Sequence, residues 1–147
     1  MINQKGFTLL EVLIAVLVLA IGLLGLAGLQ ATSLRVNQSA SMRSQATNLA
    51  YDIADRIRAN RDAALAGTYD NQSLATTPPA CAVITLNGTL AQQDIAFWRN
   101  AIACTLPLST GSIIRDTTNT NTFTIIIQWD DTRGASNPQQ FKMMTDL

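Results

Sequence analysis

Few residues in this chain are equipped for chemistry, and the first of them stands where a charge is least expected. Glu11 lies inside "KGFTLLEVLIAVLVLAIGLLGLAGLQ", residues 5–30, a stretch that is otherwise apolar beyond its opening residues. An isolated carboxylate at bilayer depth costs on the order of 2.5–3.5 kcal/mol on insertion scales, so an acid there asks for a cationic partner. Two plainer readings compete: the side chain snorkels to the interface, or it sits favourably in the positive first turns of a helix.

Elsewhere the inventory is thin. Of 147 residues none is histidine, which removes the commonest general base and the commonest metal ligand together. Two cysteines alone do not make a zinc site. Asp130-Asp131-Thr132-Arg133-Gly134 lacks the ligand spacing of a calcium loop and reads as an acidic turn. No nucleophile stands beside a base, so the chain is expected not to be an enzyme and to need no metal or other cofactor. Lys plus Arg balances Asp plus Glu at 10 each, and Arg56, Arg58 and Arg61 are offset by Asp52, Asp55 and Asp62. Nucleic-acid binding is therefore not expected.

The element that must carry Glu11 is a helix. No residue from Val12 to Leu29 is charged or strongly polar. Residues 7–29 would form about 34 Å of helix, enough to cross a hydrocarbon core of about 30 Å. A secretory signal peptide would have a shorter apolar core and an A-x-A-like cleavage site, which Gln30-Ala31-Thr32 does not supply. Lys5 precedes the span, so the positive-inside rule keeps residues 1–6 in the cytoplasm and sends the C-terminal body across. Gly22, Gly25 and Gly28 fall at steps of three and wind round the helix. They leave two readings open, local melting in an assembled filament or ordinary close helix packing.

No proline occurs before Pro78, and Leu34, Met42, Ala46, Leu49, Ala50, Ile53 and Ile57 recur mostly at helical spacing. One helix is expected from Phe7 to Ala66, capped by Gly67, with Asp52–Arg56 and Arg58–Asp62 as i,i+4 pairs. Residues 69–80 read as a loop and 81–86 as a short strand. Asn87-Gly88 then turns into a second helix over 89–105, with Leu90, Ile95, Phe97, Trp98, Ala101 and Ile102 directed inward. Residues 112–116, 122–129 and 139–145 are strand candidates forming an antiparallel meander, with Phe123, Ile125, Ile127 and Trp129 on one face. The fold class is α+β: a long N-terminal helix on a small C-terminal antiparallel sheet, with one extra helix.

The topology puts Cys81 and Cys104 outside the cytoplasm, where disulfides persist. Free thiols are the alternative. A bridge would close a loop of about 24 residues and add roughly 3 kcal/mol in the chain-entropy model, a staple suited to a small domain.

Lys5-Gly6-Phe7-Thr8-Leu9-Leu10-Glu11 resembles the processing signal of type IV pilins and their pseudopilin relatives. The resemblance implies that a membrane-embedded prepilin peptidase cuts between Gly6 and Phe7 and methylates the new N-terminus at Phe7. It also implies that Glu11 pairs with the N-terminal ammonium of a neighbouring subunit during assembly. The residue chemistry agrees: Gly6 presents no side chain to a protease, and cutting converts an amide into an ammonium that stays cationic after methylation. The chain then divides into a leader at 1–6, a transmembrane and assembly helix at 7–29, an amphipathic continuation at 30–66 and a periplasmic globular head at 67–147.

Further along, "AIGLLGLAGLQ", "ANRDAALAGTYD", "AFWRNAIAC" and "FTIIIQWDD" resemble the PilV family of type IV pilus minor pilins. That likeness implies a single-pass inner-membrane protein that joins other minor pilins and the major pilin on the assembly platform. Its implied work is to prime pilus assembly and support the tip of the fimbrium, in twitching motility and cell adhesion. Major pilins of that kind carry a C-terminal cysteine loop, whereas both cysteines here precede the strands. The subunit at the very tip typically lacks the acid, so retention of Glu11 implies a place below it. A minor pseudopilin of type II secretion and an adhesive tip module are the alternatives.

Overall fold

Leucine and alanine dominate residues 9–59 with no proline among them, and these strong helix formers give one uninterrupted element. The computed structural model describes residues 6–70, 72–85, 87–132, 134–135 and 137–147. Within them the chain order is α1 (Leu9–Ala59), α2 (Arg61–Leu65), α3 (Leu90–Thr105), β1 (Thr110–Arg115), β2 (Thr122–Trp129) and β3 (Gln139–Asp146). This is a long N-terminal helix with a small three-stranded antiparallel sheet and an extra helix, an α+β pilin-type architecture. Contacts divide the chain into two units, Met1–Ser39 and Ala40–Leu147, and α1 contributes to both.

In the first unit every side chain over residues 9–38 is exposed. The helix there is long and apolar enough to cross a membrane by length and composition. It runs unbroken through Gly22, Gly25 and Gly28, where an added Cβ would meet open space. Contacts within the chain thus favour neither reading of the glycines.

The second unit has its own core. The end of α1 contributes Ala46, Ala50, Ile53, Ala54 and Ile57, α3 contributes Ile95, Trp98 and Ile102, and the sheet contributes Ile113, Phe123, Ile125, Ile127 and Trp129. Each large side chain among them gains roughly 1.5–3 kcal/mol on leaving water. The Trp98 indole N–H also donates to the Leu49 carbonyl at 2.8 Å, tying α3 to α1. Strand order is β1-β2-β3, with Ile113 opposite Ile125 and Ile125 opposite Met143. The expected alternation in β2 is present. Gly111 lets α3 approach β1: a Cβ there would lie 2.5 Å from Trp98 and 2.6 Å from Ile102.

Four local expectations are corrected. The single helix to Ala66 is interrupted at Asn60, which leaves helical geometry (φ −111°, ψ 50°) before α2 begins. Its side-chain amide donates to the Tyr69 hydroxyl at 3.1 Å, so Asn60 serves the turn instead of the helix. The same break removes the Arg58–Asp62 spacing, and Arg58 pairs with Asp55 at 3.2 Å instead. Asp52–Arg56 forms as expected, at 3.0 Å. Gly67 does follow the helical end, at φ +84°, where Thr68 and Gly67 N–H groups close onto the Ala63 and Ala64 carbonyls.

Residues 81–85 form no strand, and Leu86 lies outside the described residues. The Ala82 N–H is taken by the Asn100 side chain at 3.2 Å, and among the described residues 81–85 pair with no strand. Sheet β1 instead gains an isolated bridge between Ile113 and Gln72. In α3 the inward face is rotated from the expected one. Ala91 and Asp94 are buried, whereas Leu90 is exposed and Phe97 is 44% exposed beneath the Arg56 guanidinium. Leu34 is exposed as well. The start of α3 is set by Gly88, at φ +87°, and by a reciprocal capping box between Thr89 and Gln92.

Candidate processing and assembly site

Thr8 starts the helix that carries Glu11. The Thr8 hydroxyl and carbonyl accept from the Glu11 N–H at 3.2 and 3.1 Å, and the same carbonyl accepts from Val12 at 3.3 Å. Thr8-Leu9-Leu10-Glu11 therefore spells an N-cap with an acid at the third helical position, where a carboxylate is favoured by the helix dipole. This cap is readable in the sequence as T-x-x-E. It explains the acid's place in the helix but does not occupy its charge: among the described residues no ion pair involves Glu11.

Gly6 and Phe7 precede the helix in non-regular backbone, both exposed, Phe7 to 84%. The remainder of the expected leader, residues 1–5, lies outside the described residues. Phe7 and Glu11 line one shallow groove along the helix, with Val12, Ala15, Val16 and Leu19. An exposed, side-chain-free glycine before a capped helix suits a protease. An exposed acid on an apolar surface suits docking to a second chain that brings a cation.

Cys81 and Cys104 are brought together in a disulfide, with Cα atoms 4.6 Å apart. The bridge fastens the loop of residues 73–85 to the last turn of α3.

A polar cluster in the second unit escaped the sequence reading. Asp94, buried on α3, accepts from the Tyr69 hydroxyl at 2.6 Å and from Arg56 at 3.1 Å. Arg56 also holds Asp52 and lies 4.8 Å from the centre of the Phe97 ring. The Asp52 hydrogen bond, seconded by Asp94, raises the Arg56 pKa against the opposing effect of burial. Burial first, and the Asp94 hydrogen bond second, push the Tyr69 phenol up to about 12. These groups join α1, the turn at Asn60 and α3. Their partners are scattered along the chain, and only the Asp52–Arg56 spacing gave a sequence signal. The Asp130 carboxylate, in the acidic turn, accepts from the N–H groups of Thr132 and Gly134 at 2.8 and 2.6 Å.

Comparison with known proteins bears on both units. Residues 1–27 match the family model of the prokaryotic N-terminal methylation motif, and residues 28–96 match that of type IV pilin Tt1218. No curated protein and no solved structure matches the chain.

Proposed function

We propose that this chain, which carries a prepilin-type N-terminal methylation motif ahead of a type IV pilin family domain, works as a minor pilin and not as an enzyme. Prepilin peptidase cuts between Gly6 and Phe7 and methylates Phe7. The head stands on the periplasmic side of the inner membrane until the subunit enters the pilus.

The observation that carries the reading is the Glu11 carboxylate. It is exposed on an apolar helix and has no ion-pair partner within the described residues. Left alone in lipid it costs on the order of 2.5–3.5 kcal/mol. The methylated ammonium of a neighbouring subunit's N-terminus removes that cost and fixes the register between subunits. One molecule supplies the acid; another supplies a cation that processing has created.

The minor-pilin assignment, with priming of assembly and support near the tip as its work, draws on the PilV-like motifs and on the cysteine pair placed ahead of the sheet. In cells lacking the native copy, Glu11→Ala is expected to be cut normally but recovered from sheared pili at a tenth or less of the wild-type amount, with fewer pili per cell. Normal recovery and normal pilus number would contradict the role of Glu11. Loss of protein secretion with pili intact would instead favour a type II secretion pseudopilin, and loss of attachment with pili intact an adhesive module.

A further inference from the structure

Arg99 on α3 has no counter-ion among the described residues. Its Nη2 donates to the Ser73 carbonyl at 3.0 Å, and among the described residues no carboxylate forms an ion pair with it. A guanidinium carries five N–H donors, so most of its capacity is unused. Burial lowers its pKa, which marks a cation held partly away from water without compensation. The side chain lines a cavity of about 430 Å³ between α3, β1 and the loop fastened by the disulfide. Ligand pockets run from about 300 to 1,000 Å³, so the space suits a small ligand.

The rest of the lining is donor-rich and then apolar. Asn100 accepts from the Ala82 N–H through Oδ1, and its NH₂ group has no partner among the described residues. Thr110 accepts from the Ala75 N–H, which leaves its hydroxyl proton free to donate. Pro79, Ala80, Ala82 and Ile84 form an apolar wall beside them. Among the described residues no acidic side chain lines it.

We propose that this cavity binds a carboxylate on a short apolar stem, held by the Arg99 fork with the Asn100 amide and Thr110 hydroxyl, the stem lying against Pro79, Ala82 and Ile84. A planar two-oxygen acceptor matches a single guanidinium, and the apolar wall excludes a ligand charged throughout. The carboxylate can come from a free short-chain acid or from the apolar C-terminus of a peptide chain. The proposal does not depend on the role of Glu11.

The test uses the full chain in detergent micelles, with labelled arginine so that the Arg99 Nε–H signal is followed by NMR. Isovalerate represents the free acid and N-acetyl-leucine the chain terminus; isovaleramide and N-acetyl-leucinamide are the uncharged controls that enter micelles but lack the carboxylate. A saturable shift is expected with at least one acid, and binding at least tenfold weaker with its amide. The tighter of the two acids identifies the source. Arg99→Gln, labelled at asparagine and followed through the Asn100 side-chain amide, should weaken binding at least tenfold, and Ala96→Leu, which fills the cavity with the guanidinium intact, should do the same in a protein whose melting is unchanged. Equal binding of acid and amide, no saturable shift with either acid, or full affinity in folded Ala96→Leu would overturn the proposal.

Discussion

Glu11, exposed on an apolar helix, and Asp94, buried among polar partners, are opposite cases at the scale of the residue. Glu11 could be singled out from sequence because its chemistry conflicts with every neighbour along the chain. Asp94 could not, because Tyr69 and Arg56 reach it across 25 and 38 residues. Its cluster has a pH signature. Tyr69 is raised from 10.0 to about 12, so its contribution to stability is fully present below pH 10 and is lost as pH rises through about 12. In a Tyr51→Phe background, absorbance at long ultraviolet wavelength should show the remaining phenol ionising near pH 12, with the melting temperature falling over the same interval. A titration midpoint near pH 10, that of an ordinary phenol, would show that Tyr69 is not held as described. Gly111 gives a second residue-scale prediction. Gly111→Ala forces a methyl against Trp98 and Ile102, and overpacking of this kind costs about 1–3 kcal/mol, measurable by urea denaturation.

At the scale of elements, periodicity told most where one face is buried and least where the chain turns. The alternation of Phe123, Ile125, Ile127 and Trp129 located β2, and the apolar spacing of Ile95, Trp98 and Ile102 located α3. Phe97 misled because an aromatic can be half exposed when a guanidinium stacks over it. Asn60 was unreadable because its break depends on Tyr69, and residues 81–85 looked like a strand because composition says nothing about whether a neighbouring edge exists. What holds that segment is the disulfide. The oxidised chain should weigh the mass of two hydrogens less than the reduced one. Replacing Cys81 and Cys104 by serine together should cost about 3 kcal/mol in denaturant, and an unchanged midpoint would show that the bridge adds nothing.

At the scale of the whole chain, the second unit has a core of its own and the first has none: residues 9–38 expose every side chain. A helix of that composition is finished only by lipid or by other helices, which is the physical reason to expect an assembling subunit. The exposed helix of the first unit was readable from the length of the apolar run, whereas the units divide after Ser39, inside the stretch expected to run from residue 30 to 66. Partner subunits were not, since the surfaces they would meet are defined by chains other than this one. The proposed function requires that the chain be cut and methylated at Phe7 before it is incorporated. Mass spectrometry of the protein recovered from sheared pili reads both steps. The expected N-terminal peptide begins at Phe7 and is heavier by CH2, a methyl in place of one amine hydrogen; a recovered chain that still begins at Met1, or whose Phe7 amine is unmodified, overturns the assignment.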